Sequence, residues 1–129
     1  MILVDTSAWI EVLKGRAGDR FRQATAGDEV VTCLPIMQEV LQGIDDERAF
    51  HVASAAFADI PILENPLGRD VFAEAVQLYR AARRAGITVR SSVDCLIAAC
   101  ALRHNAAVLH VDRDFEHLAR ITELPVRRL

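Results

Sequence analysis

The sequence predicts an α/β fold in which a central, mostly parallel sheet lies between two layers of helices. Short apolar segments such as MILV and AAVLHV alternate along the chain with longer segments whose apolar residues recur at helical spacing. This alternation is typical of parallel sheets, whose strands are apolar throughout because helices cover both faces. The chain has 129 residues, 52% of them hydrophobic, which is enough for one core. We therefore expect a single domain over residues 1–129 with an α/β/α arrangement.

The first half of the chain begins with a buried strand, MILV. Thr6 or Ser7 can cap the helix that follows, which runs to about Lys14 before a glycine ends it. EVVTC is predicted to be the second strand. The segment PIMQEVLQG is predicted to be a helix, because proline is tolerated in a first helical turn and the glycine stops the pattern. A helix from about Asp46 to Ala58 and a short strand at IPIL, bounded by prolines, complete this half.

The second half begins with a long amphipathic helix from about Gly68 to Ala85, which ends at a glycine. Ser91 or Ser92 can cap the next helix, which continues through DCLIAACALRH to Asn105. AAVLHV is predicted to be a strand, RDFEHLAR a short helix and LPVRRL an edge strand. Internal repeats and low-complexity segments are absent, so we expect no linker.

Composition restricts the cellular setting. The amino terminus lacks a basic region, a long apolar run and a cleavage site, and the longest apolar run, LIAACAL, falls short of the roughly 18 residues that a membrane helix needs. Cys33, Cys95 and Cys100 are odd in number and have no C-x-x-C spacing, which indicates neither a disulfide framework nor a zinc knuckle. We expect a cytoplasmic, reduced protein that does not enter a membrane.

Net charge is −3, which argues against a constitutive nucleic-acid binder, but the charge is unevenly distributed. Acids outnumber bases between Asp28 and Glu74, whereas the segment from Tyr79 to Arg103 is basic and its only acid is Asp94. Each of its arginines is most simply a solvated charge on a helix, although arginine also suits bidentate contacts to phosphate or carboxylate. These arginines are Arg80, Arg83, Arg84, Arg90 and Arg103.

Several acids are predicted to meet at one edge of the sheet. Asp5 follows the first strand and Asp112 follows AAVLHV, and ligands of parallel sheets bind outside the carboxyl ends of the strands. Asp94 falls in the first turn of its helix, and Glu39 reaches this edge if its helix leans across it. Each acid alone has an ordinary explanation as a helix cap, a first-turn charge, a surface side chain or a turn former. Together they indicate a site.

The same segments resemble the PIN-domain ribonucleases and, within them, the VapC toxins of VapBC toxin-antitoxin pairs. The resemblance extends over essentially the whole chain. It rests on the order and spacing of four segments, namely MILVDTSAWIEVLKG, PIMQEVLQG, VRSSVDCLIAACALRH and LHVDRDFEHLAR.

The resemblance implies metal-binding acids at Asp5, Glu39, Asp94 and Asp112, with Asp114 as a further or alternative ligand. Asp112 ranks first of the last two because it is nearer the strand end. Thr6 or Ser7 matches a small hydroxyl residue that orients water or phosphate. The resemblance also implies an α/β/α fold, dependence on Mg²⁺ or Mn²⁺, cleavage of RNA, a homodimer and inhibition by a cognate VapB-type antitoxin.

Elementary chemistry agrees with this assignment. A cleft of carboxylates repels a phosphodiester, whereas a divalent cation held by the same oxygens reverses the charge and orients a water nucleophile. No histidine or cysteine stands at ligand spacing beside the acids, which favours Mg²⁺ or Mn²⁺ over zinc. Arg90, just before the serine turn, is our candidate for a phosphate contact.

Two alternatives stay open on the sequence. A receiver or haloacid-dehalogenase-like phosphoryl-transfer domain also places an aspartate after its first strand, but it needs a lysine at the site and Lys14 is the only lysine. A catalytically inactive PIN-like module that binds RNA or protein would have lost one or more of the acids, and none is missing.

Overall fold

A computed structural model describes all residues from 1 to 129 and contains one five-stranded sheet. Every neighbouring pair of strands is parallel, and Leu3 lies opposite both Val31 and Val108. The expected mostly parallel sheet is therefore confirmed. The strands, in the spatial order β3-β2-β1-β4-β5, are β1 (Ile2–Val4), β2 (Val30–Cys33), β3 (Ile62–Leu63), β4 (Ala107–His110) and β5 (Val126–Arg128).

Seven helices connect these strands, and six of them lie where the sequence predicts them. They are α1 (Thr6–Leu13), α2 (Asp19–Thr25), α3 (Leu34–Gln42), α4 (Glu47–Ala58), α5 (Arg69–Arg84), α6 (Ser92–Arg103) and α7 (Arg113–Ala119). Helix α2 was not predicted, because it is short and has no side-chain cap. The cap expected at Thr6 or Ser7 was also wrong, since the Asp5 side chain accepts the Ser7 N–H at the start of α1. Ser91 caps α6 as expected.

Alternation along the strands divides the core into two layers, because successive side chains point to opposite faces of the sheet. Ile2 and Val4 pack on one face with Trp9 of α1 and Phe21 of α2. Leu3 packs on the other face in a larger cluster that includes buried side chains of α6 and α7. Helices cover both faces, as the three-layer prediction requires.

The strand order locates the most favourable position for a ligand. From β1 the chain crosses to β2 on one side, and from β4 it crosses to β5 on the other. In open α/β sheets the crevice outside the carboxyl ends of two such strands is the usual ligand site. Helices α1 and α7 begin directly beyond β1 and β4 and therefore flank this crevice. None of the seven helices is both long and apolar enough to span a membrane.

Candidate active site

All eight residues singled out from the sequence line one pocket of about 330 Å³. The pocket lies beyond the carboxyl ends of β1 and β4, where α1, α6 and α7 begin. Four of its acids lie at the starts of these helices, and the fifth, Glu39, lies in the middle of α3. Ile10 and Ser91 complete the lining; Ile10 was not predicted, although its helical spacing from Thr6 places it on the same face of α1. The lining acids are Asp5, Glu39, Asp94, Asp112 and Asp114.

Asp5 is held rigidly at the base of the pocket. Its side chain is 4% exposed, and its Oδ2 accepts hydrogen bonds from the Ser7 backbone N–H (3.0 Å) and the Ser7 hydroxyl (2.6 Å). The Ser7 Oγ in turn accepts the Val111 N–H at 3.1 Å. Burial raises the pKa of Asp5, and the hydrogen bonds from Ser7 act against that rise. Ser7 thus joins the start of α1 to the segment after β4 and fixes the carboxylate between them.

We expect Ser7→Ala to lower the free energy of unfolding by about 1 to 3 kcal/mol, because it leaves the Val111 N–H without its acceptor and Asp5 with one donor fewer. Urea unfolding measures the difference. Ser54→Ala is the matched control, since the Ser54 hydroxyl is buried with no partner and its removal should cost little. Equal losses in the two variants would contradict the bridging role of Ser7.

Glu39 reaches the pocket from α3, as the sequence interpretation required. The Thr6 hydroxyl donates to Glu39 Oε1 at 2.8 Å, which ties α1 to α3 across the pocket. The sequence predicted that Thr6 or Ser7 would orient water or phosphate. In the structure both hydroxyl protons are given to carboxylates, so both residues position acids.

Asp94, Asp112 and Asp114 form the most crowded part of the pocket. Each offers a carboxylate oxygen, and these three oxygens lie within 4.8 Å of one another. Burial, followed by repulsion from Asp5 and Asp114, raises the pKa of Asp94 to about 8. A site that holds carboxylates this close favours either a bound proton or a bound cation.

The last two acids, Asp112 and Asp114, differ in exposure. The Asp112 side chain is 33% exposed, and its Oδ1 accepts the Asp114 N–H at 3.1 Å as the cap of α7. Asp114 is only 3% exposed. The sequence ranked Asp112 first, and that ranking stays a prediction; the burial of Asp114 beside Asp94 is an observation in favour of Asp114.

Arg90 forms an ion pair with both of these acids. Its Nη2 lies 2.6 Å from Asp112 Oδ1, and its Nε lies 3.3 Å from Asp114 Oδ2. The guanidinium therefore holds one oxygen of each carboxylate and leaves the other oxygen of each outside this pairing. Its side chain is still 64% exposed, so further N–H groups face solvent at the mouth of the pocket.

The donor set fits a hard divalent cation. Only carboxylate and hydroxyl oxygens and the Arg90 guanidinium provide side-chain polar groups, and no histidine or cysteine lines the pocket. The three cysteines are free and buried elsewhere. Oxygen ligands are those preferred by Mg²⁺ and Mn²⁺. A cation would relieve the repulsion that, together with the larger effect of burial, raises the pKa of Asp94.

Comparisons with known proteins agree with the fold and the site. Residues 2–121 match the model of the PIN domain. The chain is 42% identical to Ribonuclease VapC11 of Mycobacterium tuberculosis and to a VapC ribonuclease of Mycobacterium bovis, in each case covering 96% of both chains. It is 28% identical to Ribonuclease VapC18 of Mycobacterium tuberculosis over 95% of this chain and 90% of the relative.

Solved structures show the same fold at lower identity. DNA-bound VapBC from Salmonella typhimurium superposes with a TM-score of 0.77 at 17% identity, covering 98% of this chain and 96% of that one. VapBC2 from Rickettsia felis, bound to a promoter DNA fragment, gives 0.76 at 14% identity, covering 100% and 99%. With the sequence relatives, these matches show that the chain belongs to the PIN domain family, among its VapC proteins.

Proposed function

We propose that this chain is the toxin of a type II toxin-antitoxin pair and an endoribonuclease that hydrolyses RNA phosphodiester bonds with a divalent cation, working as a single domain over residues 1–129. The observation that carries the proposal is the pocket of five carboxylates at the crevice between β1 and β4. The names of the 42% identical relatives support the reaction. An RNA substrate and an antitoxin partner also imply a cytoplasmic location.

The residues of the pocket divide into two roles. Asp94, Asp112 and Asp114 would hold Mg²⁺ or Mn²⁺, with Asp5 and Glu39 completing the set of oxygens. When bound, the cation neutralises phosphate charge and lowers the pKa of an attacking water. Thr6 and Ser7 hold the carboxylates of Glu39 and Asp5 in place.

Arg90 has two roles in this proposal. It orients Asp112 and Asp114 through its ion pairs, and its exposed N–H groups stand where they can bind a phosphate oxygen of the substrate. This contact would place the scissile phosphate over the carboxylates, whose charge would otherwise repel it.

The test is a cleavage assay on total RNA with the purified chain in Mg²⁺, in Mn²⁺ and in excess EDTA. We expect cleavage with either cation and none in EDTA, because carboxylates alone cannot accommodate a phosphodiester. Cleavage that continues at the same rate in EDTA would contradict the metal mechanism. Failure to cut any RNA with metal present would favour an inactive RNA- or protein-binding module.

The antitoxin is expected to block this pocket. A carboxylate cluster beside the exposed side chain of Ile10 favours a partner segment that carries an arginine, since a guanidinium can pair with the same oxygens. Co-expression with the product of an adjacent upstream reading frame should suppress cleavage and give a complex that purifies together. A toxin that remains active and unbound in that experiment would contradict this partner.

A homodimer is also part of the proposal. Large apolar side chains stay exposed together on α5, where Phe72 is 48%, Val76 is 56% and Tyr79 is 37% exposed, and such surface favours a protein contact. Light scattering on the purified chain measures the mass directly, and a monomer at micromolar concentration would contradict the dimer.

The phosphoryl-transfer alternative loses its support. Lys14 lies exposed at the carboxyl end of α1 and does not line the pocket. The strand order also differs from the 2-1-3-4-5 order of the receiver-like fold.

A further inference from the structure

A trough of about 570 Å³ opens directly from the carboxylate pocket and runs between α1 and α7. An RNA strand whose scissile phosphate lies in the pocket has to continue over a neighbouring surface, and the trough is such a surface. The two cavities share part of their lining, so they form one continuous depression. The shared residues are Ser7, Ile10, Arg90 and Asp112.

The three acids that line the trough each have an arginine partner. Glu11 accepts two hydrogen bonds from the Arg16 guanidinium, at 3.0 Å and 2.7 Å. Glu116 pairs with Arg128 at 2.8 Å. The third acid is Asp112, whose pairing with an arginine is described above. The carboxylates of the trough are therefore compensated within the folded chain.

Arg113 is the one cation of the trough that lacks such a partner. It is exposed, and no carboxylate lies within 4.0 Å of its guanidinium. Asp112 and Asp114 flank it in the sequence, yet both of their carboxylates pair with Arg90 instead. A guanidinium that is left unpaired at the edge of the pocket favours an anionic partner.

The lining of the trough argues against a protein segment as that partner. Only Ile10 and Val111, two of the nine lining residues, are hydrophobic. A helix or peptide that docks by an apolar face would bury little here, and a segment that carries an arginine would be repelled by Arg113. Phosphates fit better, because they supply most of the contacts between proteins and nucleic acids and arginine binds them in bidentate geometry.

We propose that the trough between α1 and α7 holds the RNA strand on one side of the scissile phosphate, and that Arg113 binds a phosphate adjacent to it. Arg90 lines both cavities, so Arg90 and Arg113 can hold neighbouring phosphates of one strand. This inference rests on the proposed function, and it adds a substrate-binding residue outside the pocket.

The first experiment is steady-state cleavage of a fluorogenic oligoribonucleotide by the full chain in Mn²⁺. Arg113→Gln should raise KM about tenfold and leave kcat within about threefold, because it removes a contact made away from the reacting atoms. Arg113→Lys keeps the charge and should recover part of the loss. The affinity for Mn²⁺ without RNA, measured by electron paramagnetic resonance, should change by less than about threefold.

Glu116→Gln should have the opposite effect on RNA. It removes one acid from the trough and releases Arg128 from its ion pair, so KM should fall by about threefold. Fluorescence anisotropy of a labelled oligoribonucleotide in EDTA, where the strand stays intact, measures binding alone. For Arg113→Gln, the slope of log affinity against log salt concentration should become shallower by about 0.7, the value for one phosphate of a single strand.

Arg48→Gln is the matched control. It removes the same charge from an exposed arginine that forms no ion pair, on α4, which leads to β3 at the opposite edge of the sheet from β5. KM and affinity should stay within about twofold of the parent, as expected for a charge remote from the bound strand. Circular dichroism checks that each variant is folded.

Several outcomes would overturn the proposal. If Arg113→Gln keeps the KM of the parent while metal-dependent cleavage persists, the proposed function stands and the trough does not hold the strand. A fall in kcat at unchanged KM would mean that Arg113 positions the acids of the pocket. Unchanged RNA affinity with weaker co-purification of the antitoxin would make the trough a protein contact. If the parent neither binds nor cuts RNA, the proposed function fails as well.

Discussion

Replacing Asp94 by asparagine is expected to lower the rate of RNA cleavage by about 10²- to 10³-fold, the effect of removing one preorganised electrostatic group from an active site. Asparagine keeps the size of the side chain but removes its negative charge and replaces one ligand oxygen with an amide nitrogen that cannot bind a cation. A carboxylate oxygen of Asp94 lies within 4.8 Å of one from Asp112 and one from Asp114. The substitution therefore removes one of the three closest carboxylates of the pocket. Asp5→Asn and Glu39→Gln should have effects of the same order.

The effects of replacing Asp112, which precedes α7, and Asp114, which lies in its first turn, can be compared directly. Because Asp114 is buried beside Asp94 while Asp112 is partly exposed, Asp114→Asn should reduce cleavage at least as much as Asp112→Asn. A fluorogenic RNA substrate at saturating Mn²⁺ measures both. The control is Asp45→Asn, which removes an exposed carboxylate that makes no ion pair. If all the pocket variants cut as fast as Asp45→Asn, these acids do not hold the metal.

Local patterns predicted most of the fold. The apolar strands and helix caps are set by neighbouring residues, so MILV, PIMQEVLQG and DCLIAACALRH fall within a residue or two of the observed elements. The convergence of acids was also predictable, because parallel strands place their carboxyl ends at one edge. Helix α2 escaped prediction since its polar residues have no distinct apolar period, and it is held by Phe21 against Trp9 from a different segment.

Interactions between distant segments could not be predicted in the same way. The Ser7 hydroxyl accepts the N–H of Val111, 104 residues away, and Thr6 donates to Glu39. Arg90 pairs with acids more than twenty positions further along the chain. The residue types of Thr6, Ser7 and Arg90 indicate that their side chains could bind phosphate or water. Only the fold shows that they already donate hydrogen bonds to carboxylates.

The metal-free protein should be less stable than its Asp94→Asn variant. Two carboxylates 4.8 Å apart repel by about 3 kcal/mol at an effective dielectric of 20, and the Arg90 guanidinium compensates Asp112 and Asp114 but not Asp94. Replacing Asp94 by a neutral side chain removes its share of this repulsion. We expect a melting temperature in EDTA about 4 to 12 °C above that of the parent, for a gain of about 1 to 3 kcal/mol.

The pH dependence has a defined sign. The pKa of Asp94 is raised in the folded state from 3.8 to about 8, so its folded form holds a proton that the unfolded chain has released. The stability that the protonated Asp94 side chain contributes is fully present below the pKa of the unfolded chain, and it is lost as pH rises through the pKa of the folded protein. In EDTA the parent should therefore lose stability between about pH 4 and 8 relative to Asp94→Asn, and the difference in melting temperature should be larger at pH 8.5 than at pH 6.

A bound metal should reverse the order of the melting temperatures of the parent and Asp94→Asn. A cation that binds only the folded state adds about 2.7 kcal/mol when its concentration is a hundred times its dissociation constant, and it does so only where the ligand set is intact. Mn²⁺ at millimolar concentration should raise the melting temperature of the parent above that of Asp94→Asn, while Asp45→Asn follows the parent throughout. If the parent is already the more stable of the two in EDTA, and Mn²⁺ shifts both equally, then Asp94 stabilises the start of α6 through the helix dipole and belongs to no repulsive metal cluster.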